Sequence, residues 1–175
     1  NDFPLIIQDR TFDADNQFDY AGAYDPDGTY GDTLLVNGTI NPFVEVKNEQ
    51  IRLRLVNGSN ARNYTFGLEN GAEFHQIASD GGFLEQPVAL TSVTLTPGDR
   101  AEIIVDLSGY AEGDTVKLMD GNATVLSLNV TEEADAQTAL PQTLNEIPEL
   151  VTDGAAVQRF TLSGMSFMVN INGSQ

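Results

Sequence analysis

The chain has 175 residues, enough for one domain with a real core and short for two. Its formal net charge is −18, from 26 acidic residues against 8 Lys and Arg, so it would repel a phosphate backbone, and nucleic acid is a poor partner. Cysteine is absent, which excludes disulfides, a thiol nucleophile and thiolate metal ligands, and no apolar run approaches the roughly 18 residues of a membrane span.

Residues 5–10 read as an opening strand. Residues 12–32 are polar and rich in Asp, Gly and Tyr, and read as a long surface excursion. Short strands are predicted over 33–36 and 43–46, around the Asn37-Gly38 turn, with Pro42 at a strand start. The clearest signal comes next. Ile51, Leu53 and Leu55 alternate with Arg52 and Arg54, the period-2 pattern of a strand with one buried face. Asn57-Gly58-Ser59-Asn60 breaks that strand, and a second runs through Tyr64, Phe66 and Leu68. Further strands are predicted over 74–79, closed by Asp80-Gly81-Gly82, and over 88–95, ending in Pro97-Gly98. Residues 101–107 form a more continuous apolar run and are predicted to be buried on both sides. A last pair, 116–119 and 125–130, turns at Asp120-Gly121-Asn122.

No segment before residue 131 carries a sustained 3.6-residue period, so many short strands with frequent turn signals predict an antiparallel sandwich or barrel. Residues 131–154 are acidic and Ala-rich with Pro141 and Pro148, and read as a linker with room for a helical turn. Strand character returns at 159–162 and 168–173. The start at Asn1-Asp2-Phe3-Pro4, without an initiator Met or signal peptide, reads as that of an excised or processed piece.

The chemistry on offer is thin. His75 is the single histidine, and a lone imidazole without other good ligands builds no transition-metal site, so a hydrogen-bonded or surface role is the expectation. Asp25, Asp27 and Asp32 alternate around glycines like part of a calcium loop, but the closing Glu is missing, and Asp-Gly turns in an acidic chain account for them. There is no Gly-x-Ser-x-Gly elbow, one His leaves little scope for a Ser-His-Asp triad, and no glycine run precedes a helix and Lys to cradle phosphate. Carboxylate pairs of the glycosidase kind stay open, because separation in sequence says nothing of separation in space.

Four ordered runs carry a resemblance. Residues 31–38, Gly31-Asp32-Thr33-Leu34-Leu35-Val36-Asn37-Gly38, closely resemble a run of bacterial multicopper oxidases, and residues 52–62, ending in Asn57-Gly58-Ser59-Asn60-Ala61-Arg62, are similar to the next. Residues 77–82 and 97–102 match two more in order, and Gln8-Asp9-Arg10 looks like the opening of the same segment. The resemblance spans about residues 5–107 and points to the middle, cupredoxin-like domain of three-domain, laccase-type enzymes. It implies an all-β, Greek-key β-sandwich or barrel. In the family the copper ligands are His-x-His motifs and a Cys of the first and third domains, so here no catalytic, cofactor-binding or metal-binding residue is expected, and copper belongs to the parent protein. The implied role is structural: spacing the outer domains of a secreted, cell-surface or periplasmic copper-dependent oxidoreductase.

On this reading residues 1–131 are the middle domain, 132–156 an acidic linker, and 157–175 the first strands of a following domain. The alternative is a copper-free scaffold or interaction protein of the same fold, like the family's cell-division relative; a calcium module built on Asp25, Asp27 and Asp32 is a remote third. The partners expected are flanking cupredoxin domains of the same chain, with self-association through an exposed apolar flank or the C-terminal strands, notably Phe160, Leu162, Phe167 and Ile171. Arg62 is expected to be structural, reaching carbonyls or a carboxylate such as Asp80.

Overall fold

The computed structural model describes residues 1–21, 24–26, 28–136, 138–165 and 168–172; Asp27 and Phe167, singled out above, lie outside them. In chain order the main strands are β1 (Asp2–Arg10), β2 (Tyr24–Asp25), β3 (Gly28–Thr29), β4 (Thr33–Val36), β5 (Phe43–Lys47), β6 (Gln50–Asn57), β7 (Tyr64–Leu68) and β8 (Phe74–Ser79). They continue through β9 (Gly82–Leu90), β10 (Ser92–Leu95), β11 (Arg100–Asp106), β12 (Thr115–Asp120) and β13 (Ala123–Glu132) to a final hairpin, β14 (Leu162–Met165) and β15 (Met168–Ile171).

A six-stranded sheet, β4-β1-β6-β11-β8-β9, faces a five-stranded one, β10-β7-β12-β13-β5. The chain crosses between them repeatedly, the Greek-key habit of cupredoxin-like sandwiches. Period-2 alternation decides which face is inside. Ile51, Leu53 and Leu55 of β6 and Ala101, Ile103 and Val105 of β11 point inward and meet Tyr64, Phe66 and Leu68 of β7 and Val116 and Leu118 of β12. Burying each large apolar side chain contributes about 1.5–3 kcal/mol. The Tyr64 and Phe66 rings stack at 5.6 Å between centroids.

Besides a bulge at Thr131, where β13 runs one residue ahead of β5, two bulges break the alternation. At one, the register of β12 against β13 passes from Leu118↔Leu126 to Met119↔Thr124, so Val125 is the extra residue and both Val125 and Leu126 are buried. At the other, β8 carries Ile77 as the extra residue opposite β11, whereas against β9 the longer side is β9, whose residues 84–87 stand opposite Ile77. The Asn37-Gly38 turn has φ of 50° and 78°, and the Asn37 side chain extends the β1–β4 ladder: its Oδ1 accepts from the Ile6 amide at 2.9 Å and its Nδ2 donates to the Pro4 carbonyl at 2.9 Å.

Four expectations are corrected. The run 88–95 is two strands, β9 in one sheet and β10 in the other, because the chain changes sheets at Thr91. Strand β11 is buried on one face and only half-buried at Glu102 and Ile104 on the other, because its outer side is covered by a single extended segment rather than a layer. That segment comes from the stretch read above as a linker, which is not helical among the described residues: Leu144 donates its amide to the Glu85 carbonyl of β9 at 2.8 Å, and residues 138–144 lie as a strap across the six-stranded sheet. Pro141 and Pro148 suit such an extended course. The C-terminal strand character falls on 162–165 rather than 159–162; β14 and β15 pair with one another, leaving Phe160 and Leu162 each 69% exposed.

Candidate functional site

The runs singled out in the sequence converge on the end of β1. Asp9 points inward with its side chain only 3% exposed. Its Oδ2 accepts from the Gly31 amide at 2.7 Å and from Arg62 Nε at 2.8 Å, while Arg62 Nη2 donates to the Gly31 carbonyl at 2.7 Å. The guanidinium lies 5.6 Å from the centroid of the Tyr30 ring. The Ser59 hydroxyl accepts the Asp9 amide at 3.1 Å and is bonded to the Tyr64 hydroxyl at 2.8 Å.

Asn57, fully buried at the end of β6, ties this cluster to the rest. Its Nδ2 donates to the carbonyls of Arg62 at 2.8 Å and Leu95 at 2.9 Å, and its Oδ1 accepts from the Ser59 amide at 3.0 Å. Its backbone amide donates to the Asp99 carbonyl at 3.1 Å, and the Gly98 amide donates to its carbonyl at 2.9 Å. The Asp99 carboxylate in turn accepts from the amide and hydroxyl of Thr96, which holds it below the usual carboxylate range. Asp80 Oδ1 accepts the Arg100 amide at 2.7 Å. Residues 8–10, 31–38, 52–62, 77–82 and 97–102 thus form a single polar staple.

Local sequence explains the placement. Parallel pairing of β1 on β6 sets Ile7 beside Asn57, so Asp9 runs on past the end of β6 into the Asn-Gly-Ser-Asn break. Gly31 has no Cβ because none would fit: one would stand 2.3 Å from the Arg10 backbone nitrogen. The partner of Arg62 is Asp9, not Asp80; Asp80 is engaged by Arg100, 3.2 Å away. Sequence reading missed Asp9 as that partner, because the two residues are joined by sheet register rather than by proximity in the chain.

Electrostatically the staple is settled rather than reactive. Burial would raise the Asp9 carboxyl, but the Ser59 hydroxyl, the Arg62 guanidinium and the Gly31 amide outweigh it and hold it below the ordinary Asp range. Oδ1 itself is buried with no hydrogen-bond partner among the described residues. Burial pushes the Tyr64 phenol up, so it is no ready nucleophile. Neither Ser59 nor Tyr64 has a histidine beside it to act as base.

The remaining sequence candidates lie apart from this cluster. His75 stands half-buried on β8, opposite Ala89 and Ile104, on the outer face of the six-stranded sheet near Asp106. Burial raises the Asp106 carboxyl, but bonds from Ser108 and Gln50 and the field of His75 hold it below the usual range. Asp32 Oδ1 accepts from the Thr33 hydroxyl at 3.0 Å, and Asp25 sits opposite Gly28 in the β2–β3 ladder. Among the described residues no three His, Asp or Glu side chains converge as metal ligands.

Residues 2–115 match the family described as multicopper oxidase. The chain belongs to the multicopper oxidase family. The multicopper oxidase mco of Staphylococcus haemolyticus is 41% identical over 176 residues, covering all of this chain and 36% of that protein. The cell division protein FtsP of Proteus mirabilis is 46% identical over 123 residues, covering 70% of this chain and 25% of the relative. The crystal structure of a multi-copper oxidase from Pediococcus acidilactici superimposes with a TM-score of 0.91 at 39% identity, over 99% of this chain and 37% of that one. The chain therefore spans about a third of the length of the multicopper oxidases it matches.

The copper that the family name implies does not fit the residues of this chain. Copper centres favour imidazole and thiolate donors. This chain offers one imidazole and no thiol, and among the described residues no three metal-binding side chains gather around that imidazole.

Proposed function

We propose that this chain is the non-catalytic, cupredoxin-like middle domain of a three-domain multicopper oxidase, a spacer that holds the copper-bearing outer domains in register. The observation that carries the reading is the staple around Asp9. The runs that resemble the family are used up in satisfying one another's hydrogen bonds, and the donor set for copper is missing from the residue list. The parent would couple oxygen reduction to oxidation of phenols or metal ions, with its copper bound by other domains. Its setting would be secreted, cell-surface or periplasmic, in keeping with the acidic surface.

The test is copper loading. After incubation with copper and desalting through a weak chelator, elemental analysis should find well under one copper per chain and no intense blue absorption. Retention near one copper per chain would overturn the reading.

Residues 1–131 would form the spacer, 132–156 the linker, and 157–175 the opening strands of the next domain. Its support is the exposure of this stretch: Leu150 and Val151 before the arm and Val157 within it are more than 80% exposed, and among the described residues β14 pairs with β15 alone. Removing residues 157–175 should leave the melting temperature within about 2 °C, because that arm contributes little to the core, while reducing self-association at high concentration. A large drop in stability would mean that the arm belongs to the sandwich.

A second reading has its own support. The FtsP of Proteus mirabilis is 46% identical over 70% of this chain, against 41% over all of it for the staphylococcal oxidase. A copper-free scaffold would use the same spacer. The whole polypeptide separates the two: His-Cys-His and His-x-His runs elsewhere in it, with several coppers per molecule, mark the oxidase.

A further inference from the structure

Between residues 133 and 161 the chain is fastened to the sandwich at three points. Among the described residues of that stretch only Ala134, Leu140 and Leu144 are half-buried, and all the others are exposed. Ala134 donates its amide to Asn48 Oδ1 at 2.7 Å, and Asn48 is itself held, its Nδ2 donating to the Tyr110 carbonyl at 3.2 Å and its backbone amide to the Glu132 carbonyl at 3.0 Å. Leu140 and Leu144 line a groove of about 490 Å³ together with Ile77, Phe83 and Ile104 of the sheet, so the strap spans open space and rests on few contacts. Its last fixed point is the Leu144 amide on the Glu85 carbonyl, which the Asn145 amide approaches to 3.5 Å.

Glu85 can serve as that point because β9 is irregular there. Gln76 pairs with Val88 and Ala78 with Phe83, so residues 84–87 of β9 stand opposite Ile77 alone. A bulge leaves its extra residues outside the ladder, and β9 is an edge of the six-stranded sheet, with no further strand to take them up. Pro87 brings no N–H into this stretch, and the Glu85 carbonyl is satisfied by the strap.

We infer that the β9 bulge and the strap form a catch and a latch. The Glu85 carbonyl is the catch, the Leu144 amide is the latch, and their bond fixes where the following stretch leaves the sandwich. Leu144 and Asn48 are positioning residues. The exposed tether then starts at 145 beside β9, in the six-stranded sheet, although β13 ends in the five-stranded one. With Leu144 released the tether would start at 135, and the effective concentration of whatever follows 161 would fall about twofold, as the three-halves power of tether length. Holding a following domain to one side of the sandwich rests on the spacer reading; the latch itself does not.

Hydrogen exchange and a spin label test the latch on the whole chain. The Leu144 amide should exchange at least about tenfold more slowly than that of Val151, once intrinsic rates are divided out. The absence of cysteine lets Leu150→Cys carry a single nitroxide. Its paramagnetic broadening should centre on the amides of β9. Adding Leu144→Pro, which removes the donor, should weaken that broadening by about twofold and spread it toward β5 and β13. Adding Leu144→Ala, which keeps the donor, should preserve the parent pattern. Both should melt close to the parent, because Leu144 lies outside the core cluster. Exchange as fast at Leu144 as at Val151, the same broadening with and without Leu144→Pro, or a pattern lost in Leu144→Ala would each overturn the inference.

Discussion

Replacing Gly31 with alanine should destabilise the chain by about 3 kcal/mol, roughly 6–12 °C in melting temperature for a protein of this size. The new Cβ would stand 2.3–2.6 Å from backbone atoms of Arg10, which are not the far end of a flexible side chain and cannot swing aside. The strand ends must part, and the parting pulls the Gly31 amide from Asp9 and its carbonyl from Arg62. Overpacking alone costs about 1–3 kcal/mol, and weakening a charged hydrogen bond adds to it. Gly38→Ala is the control. Gly38 has a positive φ of 78° but open space around it, so only backbone strain of about 1 kcal/mol applies. Thermal unfolding of both variants decides the matter: if Gly31→Ala is no worse than Gly38→Ala, the close approach to Arg10 does not constrain the fold.

Asp9→Asn should cost about 2–3 kcal/mol at neutral pH. A fully buried pair that loses one partner costs about 3–5 kcal/mol, but the Arg62 side chain is 39% exposed and water can solvate it when Asp9 loses its charge. The pH dependence identifies the cause. The Asp9 carboxyl titrates in the folded chain below its ordinary value of 3.8, so its contribution is whole above that pH and lost as pH falls through the lower folded value. Asn at this position does not titrate. The difference in urea midpoint between parent and variant should therefore be widest near pH 7 and shrink toward pH 2, while the other acidic residues act on both chains alike. A difference that stays constant from pH 7 to pH 2 would mean that the charge of Asp9 contributes nothing.

Strands whose side chains alternate between core and solvent were legible in the sequence. Residues 33–36, 64–68 and 74–79 are strands with the predicted bounds, and the alternation of Ile51, Leu53 and Leu55 against Arg52 and Arg54 places the buried face correctly. Burial on the outer face was not legible. Ile104 looks like a core residue because it is apolar, yet what covers it is a strap from forty residues downstream. Nor does β9 announce itself, since an edge strand with its side chains largely exposed has no buried face to impose a period. Of the candidate site, the turn residues Asn57, Ser59 and Arg62 stood out, and the absence of copper donors followed from the residue list. The pairing of Arg62 with Asp9 depends on which strand lies beside which, and a separation of 53 positions in the chain leaves no trace of it.

Each sheet contains one parallel pair that reaches across the chain. Leu5 of β1 lies beside Leu55 of β6, and Val44 of β5 beside Leu128 of β13. No hairpin can bring such strands together, so both must wait for distant sequence to appear. At a synthesis rate of about 5–20 residues per second, β1 spends roughly 3–10 s outside the ribosome before its partner on β6 is complete. Strand β4 can cover one edge of β1 within that interval, but the edge along Leu5, Ile6 and Ile7 that β6 will take stays open, and β5 waits longer still for β13. The order of the strands thus predicts refolding from denaturant on the slow, millisecond-to-second scale of sheet proteins rich in distant pairings.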